Sequence, residues 1–296
     1  MGLKKLSLQD KKIIDKYLSF SEHSLSFYAL ENILIWNSFY DIGWEIIDNS
    51  LCIFFKDKIG CFLYLPPLGA KQSALAVNKS FEVMDRFNAN PQVSRIENIE
   101  EQDVKFFKEM GLLCREKSLD YLCSRSELAN LKGNKFKSKR ASLNYFTKHY
   151  DFESFELTSN LKKECLSLYD YWSKQRKAQN EDHVFQGMLD DSRLSLKTAL
   201  DNYNKLDFTG MAVKVNGKIG AFSFGYPINK NTFCILFEIT DLSIKGLAQF
   251  IFAEFCSQLK GYKYINIMDD SGLENLKKVK LSYKPARLIP AFIATR

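Results

Sequence analysis

The run Phe233-Cys234-Ile235-Leu236-Phe237-Glu238-Ile239-Thr240 is apolar apart from Glu238 and the closing threonine. A carboxylate in the middle of such a strand must pair with a cation, take up a proton or border a cleft, because an unpaired buried charge is expensive. Desolvation lifts a carboxyl pKa toward working pH and suits it to general-base chemistry; an ion pair with a lysine of the tail is the structural alternative. The chain then passes through Asp241 into Ser243-Ile244-Lys245-Gly246 and an apolar helical stretch. A helix start offers free N–H groups and a partial positive charge, so Lys245 and Gly246 are expected to cradle a phosphate. Farther on, Asn266, Asp269 and Asp270 close a strand-like segment, and Lys277, Lys278 and Lys280 precede Ser282 and Tyr283. Acids before a helix and cations at its end suit the helix dipole, but polar groups crowded at a strand end also mark candidate substrate contacts. Between Leu131 and Tyr150 stand six cations, Lys132, Lys135, Lys137, Lys139, Arg140 and Lys148, and no acid. That segment is either a solvated linker helix or an anion-binding stripe for the phosphates of a cofactor or an RNA.

The elements that must position these groups follow from periodicity and turn residues. Lys58-Ile59-Gly60-Cys61-Phe62 and Lys218-Ile219-Gly220-Ala221-Phe222 each follow a turn and an apolar strand, so each reads as half of a β-hairpin. The first half reads as helices over 9–19 and 22–40, strands over 44–47, 51–55 and 60–65, a helix over 73–87, a strand over 93–99, a helix over 102–110 stopped by Gly111, and a strand over 118–123. The second half repeats the plan with longer opening helices, over 135–150, 161–177 and 185–203, and strands over 212–215, 218–226 and 233–240. After Gly246 come a helix, a strand over 264–268, a helix opened by the capping-box spacing Ser271-x-x-Glu274, and a last strand over 288–294. Helices first, then antiparallel strands, then strand–helix–strand is a mixed α/β order and not a uniform Rossmann repeat. A repeat of about 160 residues suits two copies of one α/β domain, 1–128 and 129–296.

Composition bounds the setting. The chain has 296 residues, 46% hydrophobic and 14% aromatic with 24 phenylalanines, which is ample for packed cores, and its net charge is +7. No apolar run approaches the roughly 20 residues of a membrane span, and the opening Met1-Gly2-Leu3-Lys4-Lys5 leads into charged sequence, so a cytoplasmic protein is expected. Seven scattered cysteines without a Cys-x-x-Cys pair, and three histidines far apart, point to reduced, packed thiols and to no metal.

The tail Asn266-x-x-x-Asp270-x-Gly272-x-x-x-Leu276-Lys277-x-x-Lys280-x-Ser282-Tyr283-x-Pro285 resembles the closing motif of the family that contains the C-terminal catalytic domain of phosphatidylglycerol lysyltransferases. Lys139-Arg140 followed by Asn144 and Phe146 looks like that family's basic helix, Glu238 like its strand glutamate, and Trp36 with Pro66-Pro67-Leu68-Gly69 like its N-terminal half. The chain has Met268 where the family commonly has an acid, Lys277 where it has an arginine and Ala141 where it has an asparagine. The resemblance implies two tandem GNAT-type acyltransferase folds. It further implies transfer of an acyl or aminoacyl group from acyl-CoA or aminoacyl-tRNA to an amine or hydroxyl acceptor. In that reading Glu238 is base or amine anchor, Tyr283 acid or orienter, Lys280 stabilises the leaving group, Lys245, Gly246, Lys139 and Arg140 hold the donor's phosphates, and Asn266, Asp269 and Asp270 contact substrate. The contrary expectation is a non-catalytic GNAT-fold module that binds an acyl or nucleotide ligand or RNA through the basic segment. In either case the lysines allow peripheral contact with an anionic membrane.

Overall fold

The structure is a computed structural model that describes residues 2–296. Its contacts divide the chain into two compact units, 1–120 with 269–274 and 288–296, and 121–268 with 275–287. The sequence reading cuts the chain once, at 128/129; the structure cuts it at 120/121 and returns the last strand to the first unit.

The first half of the chain forms β1 (Lys4–Lys5), α1 (Lys11–Leu18), α2 (Leu30–Leu34), β2 (Asp41–Ile47), β3 (Ser50–Lys56), β4 (Cys61–Leu63), α3 (Ala74–Phe87), β5 (Arg95–Glu100), α4 (Val104–Glu109) and β6 (Leu113–Ser124). The second half forms α5 (Arg125–Asn130), α6 (Lys137–His149), β7 (Phe152–Glu156), α7 (Lys162–Lys177), α8 (His183–Asp201), β8 (Thr209–Val215), β9 (Lys218–Asn229), β10 (Thr232–Thr240), α9 (Leu247–Gln258), β11 (Tyr264–Asn266), α10 (Glu274–Ser282) and β12 (Arg287–Thr295).

Within the first unit the strand order is β1-β2-β3-β4-β5-β12, and within the second it is β7-β8-β9-β10-β11 followed by the end of β6. The two orders correspond strand for strand. Each unit closes with a strand from the other half of the chain: β12 pairs antiparallel with β5, and Leu122–Ser124 of β6 pair antiparallel with β11. The parallel pair of each unit is brief, a single register position between β4 and β5 and three between β10 and β11.

This order corrects the short repeat read from sequence. Lys58–Phe62 enters β4 whereas Lys218–Phe222 begins β9, and β9 corresponds to β3 by position. The counterpart of the Asn216-Gly217 turn is Asp48-Asn49; all four residues have positive φ (50° and 77°, 47° and 56°), the left-handed two-residue turn that matches the twist of a hairpin. Duplication is therefore carried by topology and turn geometry, and the likeness of the two five-residue strings is incidental.

Local chemistry explains the boundaries. Ser73 caps α3 by accepting from the Ala76 amide at 3.0 Å, and Ala76, Val77, Phe81 and Met84 bury one face. Gly111 adopts φ 81° just past α4. The long helix expected over 22–40 is confined to Leu30–Leu34 with a 3-10 turn over Ile35–Ser38. Its upstream residues are taken by long-range bonds: the Ser24 amide donates to Glu100 and the Ser26 amide to Asp120. The helix expected to open at Ser271 begins three residues later. Ser271 and Gly272 both have positive φ, the Asp270 carboxylate accepts the Gly272 amide at 3.0 Å, and the helix starts at Glu274. Sequence reading also missed α5 and β7, two short elements without strong periodicity.

Candidate active site

The second unit contains the candidate site, and a β-bulge creates it. Phe233 and Ile235 of β10 belong to the core beneath α9, and strict alternation would send Phe237 the same way and Glu238 to the opposite face. A register irregularity against β9 falls between Ile235 and Phe237. Beyond it the phase is reversed: Phe237 packs on Phe224, which lies outside that core, and Glu238 pairs with Ser223. Ala221 of β9 and Met211, the register partner of Ser223 in β8, belong to the core beneath α9, so Ser223 and Glu238 both look toward α9. A bulge of this kind re-aims a side chain without leaving the sheet.

The same stretch borders a split. The register between β10 and β11 ends at Cys234 with Asn266, while β10 runs on to Thr240. Past Asn266 the chain stays with β6: the Ile267 amide donates to the Tyr121 carbonyl at 3.0 Å, and the Tyr121 amide donates to the Met268 carbonyl at 3.2 Å. The two parallel strands thus diverge beside Glu238.

Glu238 is partly accessible as a residue, yet its Oε2 is fully buried and makes no hydrogen bond. Burial pushes its carboxyl up to about 8, with Lys139 and then Lys280 holding it back from rising further. Lys139 reaches the site from α6, with its Nζ 3.5 Å from the centroid of the Tyr283 ring and donating to Ser282 Oγ at 2.8 Å. Burial lowers the Lys139 pKa, the Glu238 carboxylate opposes that, and Lys284 adds to it. Tyr283, 8% exposed, packs its ring 4.4 Å from Phe252 of α9, and burial followed by the Glu238 charge pushes its hydroxyl well above the ordinary value. Lys280 is buried and donates to the Ile267 carbonyl at the split. The Cys256 thiol of α9 is likewise raised, by burial first and then by Glu238. The structure therefore gathers Glu238, Tyr283, Lys280 and Lys139 from three separate stretches of sequence. At neutral pH the carboxyl is mostly protonated and the phenol fully so.

Other expected site residues have different work. Arg140 donates through Nη1 to the Leu131 and Gly133 carbonyls and secures the turn after α5. Gly246 has φ 86°, and a Cβ there would collide with the Ser142 carbonyl of α6; what its missing side chain admits is a neighbouring helix. Lys245 is exposed, with its Nζ 4.4 Å from the centroid of Tyr145, whose ring stacks on His149. Asn266 is fully buried and its Oδ1 accepts the Met268 amide at 2.7 Å, shaping the bend at the split. Asp269 and Asp270 belong to the segment grouped with the first unit, where each accepts a backbone amide two residues on. The residues that sequence reading missed are Ser223, the polar partner opposite Glu238, and Cys256. The signal for Ser223 was present, a lone serine in the apolar run Ala221–Tyr226, but its pairing was not.

The first unit has its own open recess, lined among others by Tyr28, Pro67, Gln72, Asp103 and Phe107. Among the described residues no group of three or more His, Cys, Asp or Glu side chains gathers to hold a metal ion, and no helix is long and apolar enough to cross a membrane.

The family model described as "Phosphatidylglycerol lysyltransferase, C-terminal" matches residues 19–295. A conserved protein of unknown function from Bacteroides thetaiotaomicron is 29% identical over 99% of both chains, with a TM-score of 0.88. The structure of L-PGS from Bacillus licheniformis is 15% identical, with 100% of this chain and 94% of that one covered and a TM-score of 0.68. A tandem GNAT protein from the clavulanic acid biosynthesis pathway is 8% identical over 99% of this chain and 97% of that one, with a TM-score of 0.53. No curated protein sequence matches the chain.

Proposed function

This chain belongs to the phosphatidylglycerol lysyltransferase C-terminal family and folds as two tandem GNAT-type units, and from that premise we propose that it is a cytoplasmic acyl- or aminoacyl-transferase working in the second unit. The donor is an acyl group on a carrier, acyl-CoA or aminoacyl-tRNA, and the acceptor is a small molecule bearing an amine or a hydroxyl. The observation that carries the reading is Glu238, a carboxyl raised to about 8 at the split between β10 and β11.

The chemistry is balanced by groups already present. The acceptor's nitrogen or oxygen attacks the acyl carbon and loses its proton to the Glu238 carboxylate; the new bond forms as the carrier's thioester or ester bond breaks. Tyr283, held neutral by burial, gives its proton to the departing sulfur or oxygen, and Lys139 and Lys280 offset the charge that develops. The Glu238 proton returns to solvent and Tyr283 is reprotonated, which restores the site. The edge of β10 from Ile235 to Thr240 faces the split and offers main-chain groups to an extended carrier.

The test is a mass-spectrometric screen of acyl-CoA and aminoacyl-tRNA donors against pooled amines and alcohols. Glu238→Gln and Tyr283→Phe each lower turnover at least about 100-fold on this reading. Full activity of both variants with a working donor would remove them from the mechanism.

A further inference from the structure

Ser223 stands in the middle of β9, fully buried, and its Oγ makes no hydrogen bond. Directly across the ladder, Glu238 Oε2 is buried and also makes none. Register partners in an antiparallel pair place their Cβ atoms roughly 4.5–5.5 Å apart on one face, so the two side chains stand side by side on the face toward α9. Each such atom costs free energy unless a partner fills its hydrogen-bonding capacity, so two together on interior strands offer a polar group of a substrate more than they offer the fold.

The surroundings restrict that occupant. Lys139 and Lys280 both act on Glu238 electrostatically, so a third cation at this point is disfavoured and a neutral group is preferred. Two oxygen acceptors on one side suit a group with two N–H donors whose lone pair is left facing the split. A free primary amine has that pattern. An alcohol has one O–H, and if Ser223 donates to it, part of the lone-pair density needed for attack is used. Base strength agrees: a carboxylate that titrates near 8 is matched to an amine losing its proton after attack, and is poorly matched to an alcohol.

We propose that Ser223 is a substrate-contacting residue that, with Glu238, holds the acceptor's nucleophile, and that this acceptor is a primary amine bound as its uncharged form. The inference rests on the transferase reading of the site and narrows its acceptor from amine or hydroxyl to amine.

The experiment needs no donor. Protein carrying carbon-13 at the glutamate carboxyls is titrated with n-propylamine and, separately, with n-propanol at about pH 9, and the Glu238 resonance (assigned by its loss in Glu238→Gln) is followed. The expected result is a saturable shift with the amine, none with the alcohol, and at least a fivefold weaker response in Ser223→Ala. The same variant melts at the wild-type temperature or above it, since the hydroxyl it deletes has no bond to lose. A lower melting temperature means that Oγ is tied into the fold, through a bound water for example, and overturns the proposal. So does an amine affinity within twofold of wild type in Ser223→Ala, or an equal response to the alcohol. The arms separate this inference from its premise: saturable amine binding lost in Ser223→Ala, with no turnover on any donor, leaves the amine site standing and removes the transferase.

Discussion

Replacing Glu238 by glutamine makes the protein more stable in alkali, by an amount fixed by the position of its carboxyl. The folded state raises that carboxyl from 4.5 to about 8. Below about pH 4.5 the proton is bound in both folded and unfolded chains, and the group leaves stability independent of pH. Between 4.5 and about 8 only the folded chain keeps it, so unfolding releases a proton and stability falls as pH rises, at about 1.4 kcal/mol per unit. Above about 8 the loss is complete and amounts to about 5 kcal/mol. Glutamine fills nearly the same volume and does not titrate. Groups remote from Glu238 contribute alike to both proteins, so the difference between their stabilities reports this carboxyl together with its coupling to Lys139, Tyr283 and Cys256. From about pH 5 to pH 9 the variant should gain about 4 kcal/mol relative to wild type, read as diverging urea midpoints by circular dichroism. Parallel profiles, with a change under about 1 kcal/mol, would show that the carboxylate is solvated or paired in the native state, and the argument for a poised base would fall with it.

Other consequences are as direct. Gly246→Ala forces a side chain onto the Ser142 carbonyl at a positive φ and should cost at least about 3 kcal/mol in chemical denaturation; a loss under about 1 kcal/mol would mean that α6 is free to retreat. Arg140→Met removes two bonds to carbonyls and should cost about 2 kcal/mol of stability while leaving donor affinity unchanged, whereas a phosphate ligand would show the reverse. If RNA binds the basic segment, the slope of log affinity against log salt should be no steeper than roughly −2, because Lys135 pairs with Glu127 while Lys139 and Arg140 face the interior or the backbone; a slope beyond about −4 would contradict that count. A fragment of residues 129–296 lacks Tyr121–Ser124, which cover β11 and accept the Ala286 amide, and should show no cooperative melting transition; restoring 121–128 should recover one.

How much of this was readable in the sequence depends on the range of the interaction that decides each element. Hairpins and one-faced helices are set by neighbours a few residues apart, and α3, α6, α7, β8, β9 and β10 lie close to where periodicity and turn residues put them. The helix expected over 22–40 fails because Glu100 and Asp120 capture the amides of Ser24 and Ser26, partners more than seventy residues away. The late start of the last helix has a local setting: the carboxylate of Asp270, one residue ahead of Ser271, accepts the Gly272 amide, and Ser271 and Gly272 are left-handed. The exchange of closing strands leaves no mark on composition or periodicity, since β6 and β12 read as ordinary strands wherever they pair.

The candidate site shows the same division, with a sharper consequence. Glu238 was conspicuous because a carboxylate in an apolar strand violates the pattern around it. Nothing in that pattern indicates the bulge, and strict alternation would have placed Glu238 opposite the helix, away from Lys139 and Tyr283. Shifting the register by one residue exchanges the two faces of a strand, so here one irregularity decides which face Glu238 takes. Arg140 and Gly246 err in the other direction: a cation on a basic helix and a glycine before a helix both suggest phosphate, and both are explained by the close approach of α6 to its neighbours. The residue types a ligand site needs are also those that tight packing needs. What separates the two uses in this molecule is satisfaction: Arg140 has its carbonyls and Gly246 its packed helix, whereas Ser223 Oγ and Glu238 Oε2 are buried without a hydrogen bond and face the same space.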